Sequence, residues 1–143
     1  MKKLLTRIII CSQFDNLVFS ISAMRILFVD DLRDARELFR IAFSMQGHTV
    51  RLAANGLEAV AAIEYGDQVD VIVMDVEMPE MNGWDAVRTI RALPHGKEVP
   101  IVMFTAYGNG VTLKLAQDVG ANGVLHKPLS PQELISKVTQ MAA

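Results

Sequence analysis

The chain has 143 residues, of which 51% are apolar and 21% charged, with a formal net charge of −2. Such a composition excludes a disordered chain and fits one globular domain around one core. Lys and Arg are dispersed, which argues against direct nucleic-acid contact, and a single cysteine, Cys11, excludes an internal disulfide and a cysteine-rich metal site.

Residues 1–23 read differently from the rest and are set apart as an N-terminal extension, with a single domain expected over 24–143. Lys2, Lys3 and Arg7 precede Ile8, Ile9 and Ile10, which loosely resembles a signal peptide. Gln13, Asp15 and Asn16 interrupt the apolar runs, well short of the ~18 residues of a membrane span. Met24 is therefore the expected start of the domain, and no membrane association is expected.

From Met24 onward, strand-like and helix-like segments alternate. Arg25–Val29 is short, branched and apolar, as a buried parallel strand should be, and it runs into Asp30 and Asp31. Leu38, Ile41, Ala42 and Met45 then recur at helical spacing, and Gly47 closes that helix. Residues 48–52 form a second strand, after which Asn55 and Glu58 make a capping box for the next helix. Residues 69–74 are the most strand-like segment and stop at Asp75. A loop through Glu77, Met78 and Pro79 to Gly83 leads to a helix carrying Trp84, Val87 and Ile90. Residues 99–104 are a fourth strand ending at Thr105. After a loop bracketed by Gly108 and Gly110, a helix carries Leu113, Ala116 and Val119. A last short strand, 124–126, meets Lys127 and Pro128. Ser130, Pro131 and Glu133 then start the final helix with a cap, a first-turn proline and a capping-box acid. His48, His95 and His126 share no spacing and are read as surface or strand residues. The chain ends after this helix, so no output domain is expected.

Strand–helix alternation of this kind implies a doubly wound α/β fold with a five-stranded parallel sheet, because right-handed crossovers cover both faces. The chemistry-bearing residues all lie just past strand ends: Asp30 and Asp31, Asp75, Thr105 and Lys127. In an open α/β sheet that edge is where sites form. Clustered carboxylates repel one another, and an all-oxygen site of few ligands favours Mg²⁺. A carboxylate in line with a phosphoryl donor attacks as a nucleophile, while a metal, an ammonium and a hydroxyl bind the charged equatorial oxygens. The set therefore matches phosphoryl transfer to Asp75.

These motifs resemble those of bacterial response-regulator receiver domains: the acid pair Asp30 and Asp31, Asp75 followed by Met78, Pro79 and Gly83, Thr105 with Ala106, and Lys127 with Pro128. The resemblance implies the flavodoxin-like strand order 2-1-3-4-5. It implies a phosphorelay signalling domain rather than an enzyme, taking a phosphoryl group from a histidine kinase or histidine phosphotransfer protein and acting on a downstream effector in the cytoplasm. Asp75 is then the phosphoacceptor. Asp31, Asp75 and the backbone carbonyl of Glu77 hold Mg²⁺ directly, Asp30 acts through a water, and Thr105 and Lys127 contact the phosphoryl group. The Lys127–Pro128 bond is expected to be cis. Val124 stands where many relatives carry a switching aromatic ring, so Tyr107 is the nearest candidate reporter. The runner-up is an aspartyl-nucleophile phosphatase of the haloacid dehalogenase type. It needs a second Asp two residues after the nucleophile, where this chain has Glu77.

Overall fold

The computed structural model describes residues 6–11, 17–106 and 110–142, with side chains from Ala23 onward except at 111 and 142. Strands β1 (Thr6–Cys11) and β2 (Leu17–Ser22) pair antiparallel as a sheet of their own. The remaining elements alternate: β3 (Arg25–Val29), α1 (Arg33–Met45), β4 (Thr49–Ala53), α2 (Gly56–Glu64), β5 (Val71–Met74), α3 (Gly83–Arg91), β6 (Ile101–Thr105), α4 (Gly110–Val119), β7 (Gly123–His126) and α5 (Pro131–Ala142). The five strands β4-β3-β5-β6-β7 form one parallel sheet. Counted from β3, that is the expected order 2-1-3-4-5. No helix among the described residues is long and apolar enough to cross a membrane.

Alternation along each strand divides the core in two. Leu27, Val29, Ile72 and Met74 face α2, α3 and α4, whereas Ile26, Phe28, Val71 and Val73 face α1 and α5. Both faces of β5 are therefore buried, which explains its unbroken apolar run.

Helix starts follow their local chemistry. Asn55 Oδ1 accepts the Glu58 amide at 2.9 Å, and Asn82 caps α3 through the Asp85 amide at 2.9 Å. Ser130 and Glu133 bond each other's amides reciprocally at 3.1 and 3.0 Å. Glu58 departs from the expected capping box by one residue, taking the amide of Ala54 instead of Asn55.

Three expectations need correction. In α1 the buried residues are Phe39 and Phe43, while Leu38, Ile41 and Met45 are 54%, 48% and 80% exposed. The phenylalanines win the inner face because their rings join Phe28 and Phe104, Phe28 and Phe39 stacking at 5.1 Å and Phe39 meeting Phe104 edge-on at 5.8 Å. In α4 the inner positions are Thr112, Ala116 and Val119, and Leu113 is outside. His48 is neither a surface nor a strand residue. It is buried in the turn before β4, where its Nδ1 accepts the Met24 amide at 3.0 Å, and burial lowers its pKa.

Arg91, at the end of α3, holds the opposite edge of the sheet together. Its guanidinium donates to the carbonyls of Gly96, Val99 and Gly120 and to Asn122 Oδ1, at 2.7–2.9 Å. One side chain thus ties α3 to the start of β6 and the end of α4.

Candidate functional site

The carboxyl ends of β3, β5, β6 and β7 bring the sequence-predicted residues to one edge. Asp30 follows β3 and is 2% exposed. Its amide continues the sheet to Ala53 O at 3.1 Å, and its Oδ1 accepts the Leu32 amide at 2.9 Å. Asp30 is thus no helix cap, and α1 begins without a side-chain cap. Asp31 points to solvent. Asp75 follows β5, half-buried, with Oδ1 accepting the Val76 amide at 2.8 Å. One carboxylate oxygen from each of Asp30, Asp31 and Asp75 lies within 4.8 Å of the others.

Lys127 enters from β7. Its Nζ is 3.1 Å from Asp30 Oδ2 and 3.3 Å from Asp75 Oδ1, and 5.2 Å above the Phe104 ring. The bond to Pro128 is cis, as expected. The Lys127 amide donates to Thr105 O at 2.8 Å, which locks β7 to the end of β6.

Thr105 is 1% exposed and stands one strand over from Asp75. It lines a cavity of about 220 Å³ together with Val76, Glu77, Trp84, Thr112 and Leu115. Glu77 thus lines this cavity and is not among the three clustered carboxylates. Val124 is half-buried against the core. Tyr107, the candidate reporter, lies outside the described residues.

The loop over the site depends on Gly83. Its amide donates to Val76 O at 2.7 Å, and a Cβ there would come within 2.0 Å of Asp75 O. Only glycine lets the loop fold so closely on the acceptor residue. Glu80, at φ 70, makes the turn with a conformation unusual for a side-chain-bearing residue.

Electrostatically the site is strained. Burial is the main cause that pushes Asp75 up to about 6, and the Asp30 carboxylate adds to it, while Lys127 and the Val76 amide oppose it. Burial also works to lower the Lys127 ammonium, but attraction by Asp75 and Asp30 outweighs it and holds Lys127 above its ordinary value. One ammonium shared by two of three carboxylates leaves the cluster with excess negative charge. The all-oxygen donor set fits a hard divalent cation.

Sequence reasoning missed two groups. The Val76 amide had no side-chain signal. Arg36, whose Nη1 donates to Asp30 O at 2.8 Å, looked like any charge on a helix.

Residues 26–139 match the family described as response regulator receiver domain. Response regulator MprA of Mycobacterium ulcerans is 37% identical over 116 residues, which cover 81% of this chain and 49% of that protein. The chain thus spans about half the length of that relative. Among solved structures, the chemotaxis response regulator CheY4 of Vibrio cholerae is 32% identical with a TM-score of 0.78, covering 83% of this chain and 98% of that one. The receiver domain of sensor histidine kinase PA1611 from Pseudomonas aeruginosa, which has a magnesium ion coordinated in its active-site cleft, is 30% identical with a TM-score of 0.76, covering 84% and 98%. Fold, strand-end chemistry and relatives agree: this chain belongs to the response regulator receiver domain family and serves two-component phosphorelay signalling.

Proposed function

We propose that Asp75 is the phosphoacceptor, that Asp30, Asp31, Asp75 and the backbone carbonyl of Glu77 hold Mg²⁺, and that Thr105 and Lys127 contact the incoming phosphoryl group. The observation that carries this reading is the convergence of three carboxylates and the Lys127 ammonium on the end of β5. A carboxylate oxygen of Asp75 attacks phosphorus, the bond from phosphorus to the donor atom breaks, and an acyl phosphate remains on Asp75. Lys127, already within hydrogen-bond range of Asp75, neutralises charge on the transferred oxygens. The Thr105 hydroxyl, at the end of the neighbouring strand, donates to one of them. Bound Mg²⁺ supplies charge neutralisation and orients the oxygens. A histidine kinase or histidine phosphotransfer protein is the donor and a downstream protein the receiver of the signal, in the cytoplasm. The phosphatase reading is favoured by no observation: Glu77 replaces the second aspartate it requires and lies outside the carboxylate cluster.

Incubation with acetyl phosphate tests this. Intact-mass analysis should show one added phosphoryl group per chain in Mg²⁺ and none in chelator. Equal incorporation with and without chelator would remove the metal from the account.

A further inference from the structure

Asp30 needs more than a strand end to hold its position. Past Val29 the ladder stops supplying partners for its carbonyl, and that oxygen is taken by Arg36 Nη1 at 2.8 Å, reaching back from the first turns of α1. The Arg36 amide donates to Leu32 O at 3.0 Å, and the Leu32 amide donates to Asp30 Oδ1 at 2.9 Å. Residues 30–36 are therefore closed into one unit by three hydrogen bonds, two of them on Asp30. Arg36 is half-buried, and its one side-chain bond among the described residues goes to this neutral oxygen rather than to an acid. Its placement thus fixes backbone without occupying a carboxylate of the cluster.

We propose that Arg36 is a positioning residue for the cation site, acting through the backbone and carboxylate of Asp30. The inference rests on the Mg²⁺ reading of that site. Two effects of Arg36 on cation binding oppose each other. Its positive charge disfavours a nearby cation, an effect of a few-fold for partly solvated groups. Its grip on Asp30 favours binding, and loss of such outer partners costs 10–100-fold in metal affinity. Positioning wins, so removing Arg36 should weaken binding although it removes a positive charge. A helix-stabilising role alone predicts the opposite sign, because the folded protein would then bind the cation more tightly.

Calorimetric titration with MgCl₂ at pH 7.5 distinguishes these, run on wild type, Arg36→Met and Arg36→Lys with thermal unfolding in parallel. The expected result is about tenfold weaker Mg²⁺ binding by Arg36→Met. Arg36→Lys, which keeps a donor of similar reach, should recover most of the loss, and Arg36→Gln, whose shorter side chain falls short of the Asp30 carbonyl, replaces Arg36→Met as the test if that variant does not fold. Leu32 amide exchange should also quicken in Arg36→Met, reporting a looser Asp30 carboxylate. Binding by folded Arg36→Met, or by Arg36→Gln where it takes its place, as tight as wild type or tighter overturns the positioning role, whatever the change in unfolding temperature. Failure of wild type itself to bind Mg²⁺ overturns the site reading instead.

Discussion

In chelator at pH 7.5, the Asp75→Asn protein should be more stable than wild type, by about 1–3 kcal/mol. The reason is the raised pKa of Asp75, about 6 against an ordinary 3.8. A group whose pKa rises on folding binds its proton more tightly in the native state. Its favourable contribution is complete below pH 3.8 and is lost as pH rises through 6. At neutral pH the ionised, 12%-exposed side chain therefore burdens the metal-free fold by up to about 3 kcal/mol. Asparagine keeps the shape without the charge. The gain falls short of the full figure because Lys127 loses one partner and keeps only Asp30 at 3.1 Å. Thermal unfolding from pH 5 to 8 checks this: wild type should lose stability as pH rises through about 6 and then level off, and the variant should show no such loss. Mg²⁺ should restore wild type and do little for Asp75→Asn. A variant less stable than wild type at pH 7.5 in chelator would contradict the assigned electrostatics.

Replacing Lys127 should move two properties in opposite directions. Its ammonium bridges Asp30 and Asp75. Lys127→Met leaves both carboxylates facing one another, and losing one partner of a largely buried pair costs about 3 kcal/mol. Added Mg²⁺ should bind this variant more tightly than wild type, because no ammonium competes for the same oxygens. Phosphorylation should nevertheless slow by about 100-fold, since the group that neutralises the transferred oxygens is gone. Calorimetry and acetyl-phosphate labelling on one preparation measure both. Weaker Mg²⁺ binding, or labelling at the wild-type rate, would show that Lys127 serves only the fold.

Much of this site was legible because an open parallel sheet collects strand ends along one edge. Asp30, Asp75, Thr105 and Lys127 each ended an apolar run, so topology alone brought them to that edge. The inner face of α1 was not legible. Leu38, Ile41 and Met45 keep helical spacing, but so do Phe39 and Phe43, and the sequence holds both stripes. Rings already at Phe28 and Phe104 decide between them, and those lie on other elements. His48 was illegible for a similar reason. A lone histidine carries no period, and its buried place depends on the Met24 amide 24 residues away. Arg36 acts through a backbone carbonyl, an acceptor every residue possesses, so no residue pattern could mark it.

Acetyl-phosphate labelling of wild type and Asp75→Asn, followed by intact-mass analysis, tests the central claim most directly. Wild type in Mg²⁺ should gain one phosphoryl group and Asp75→Asn none, although the cluster in that variant keeps Asp30 and Asp31. Equal incorporation by both proteins would contradict the assignment of Asp75 as the acceptor.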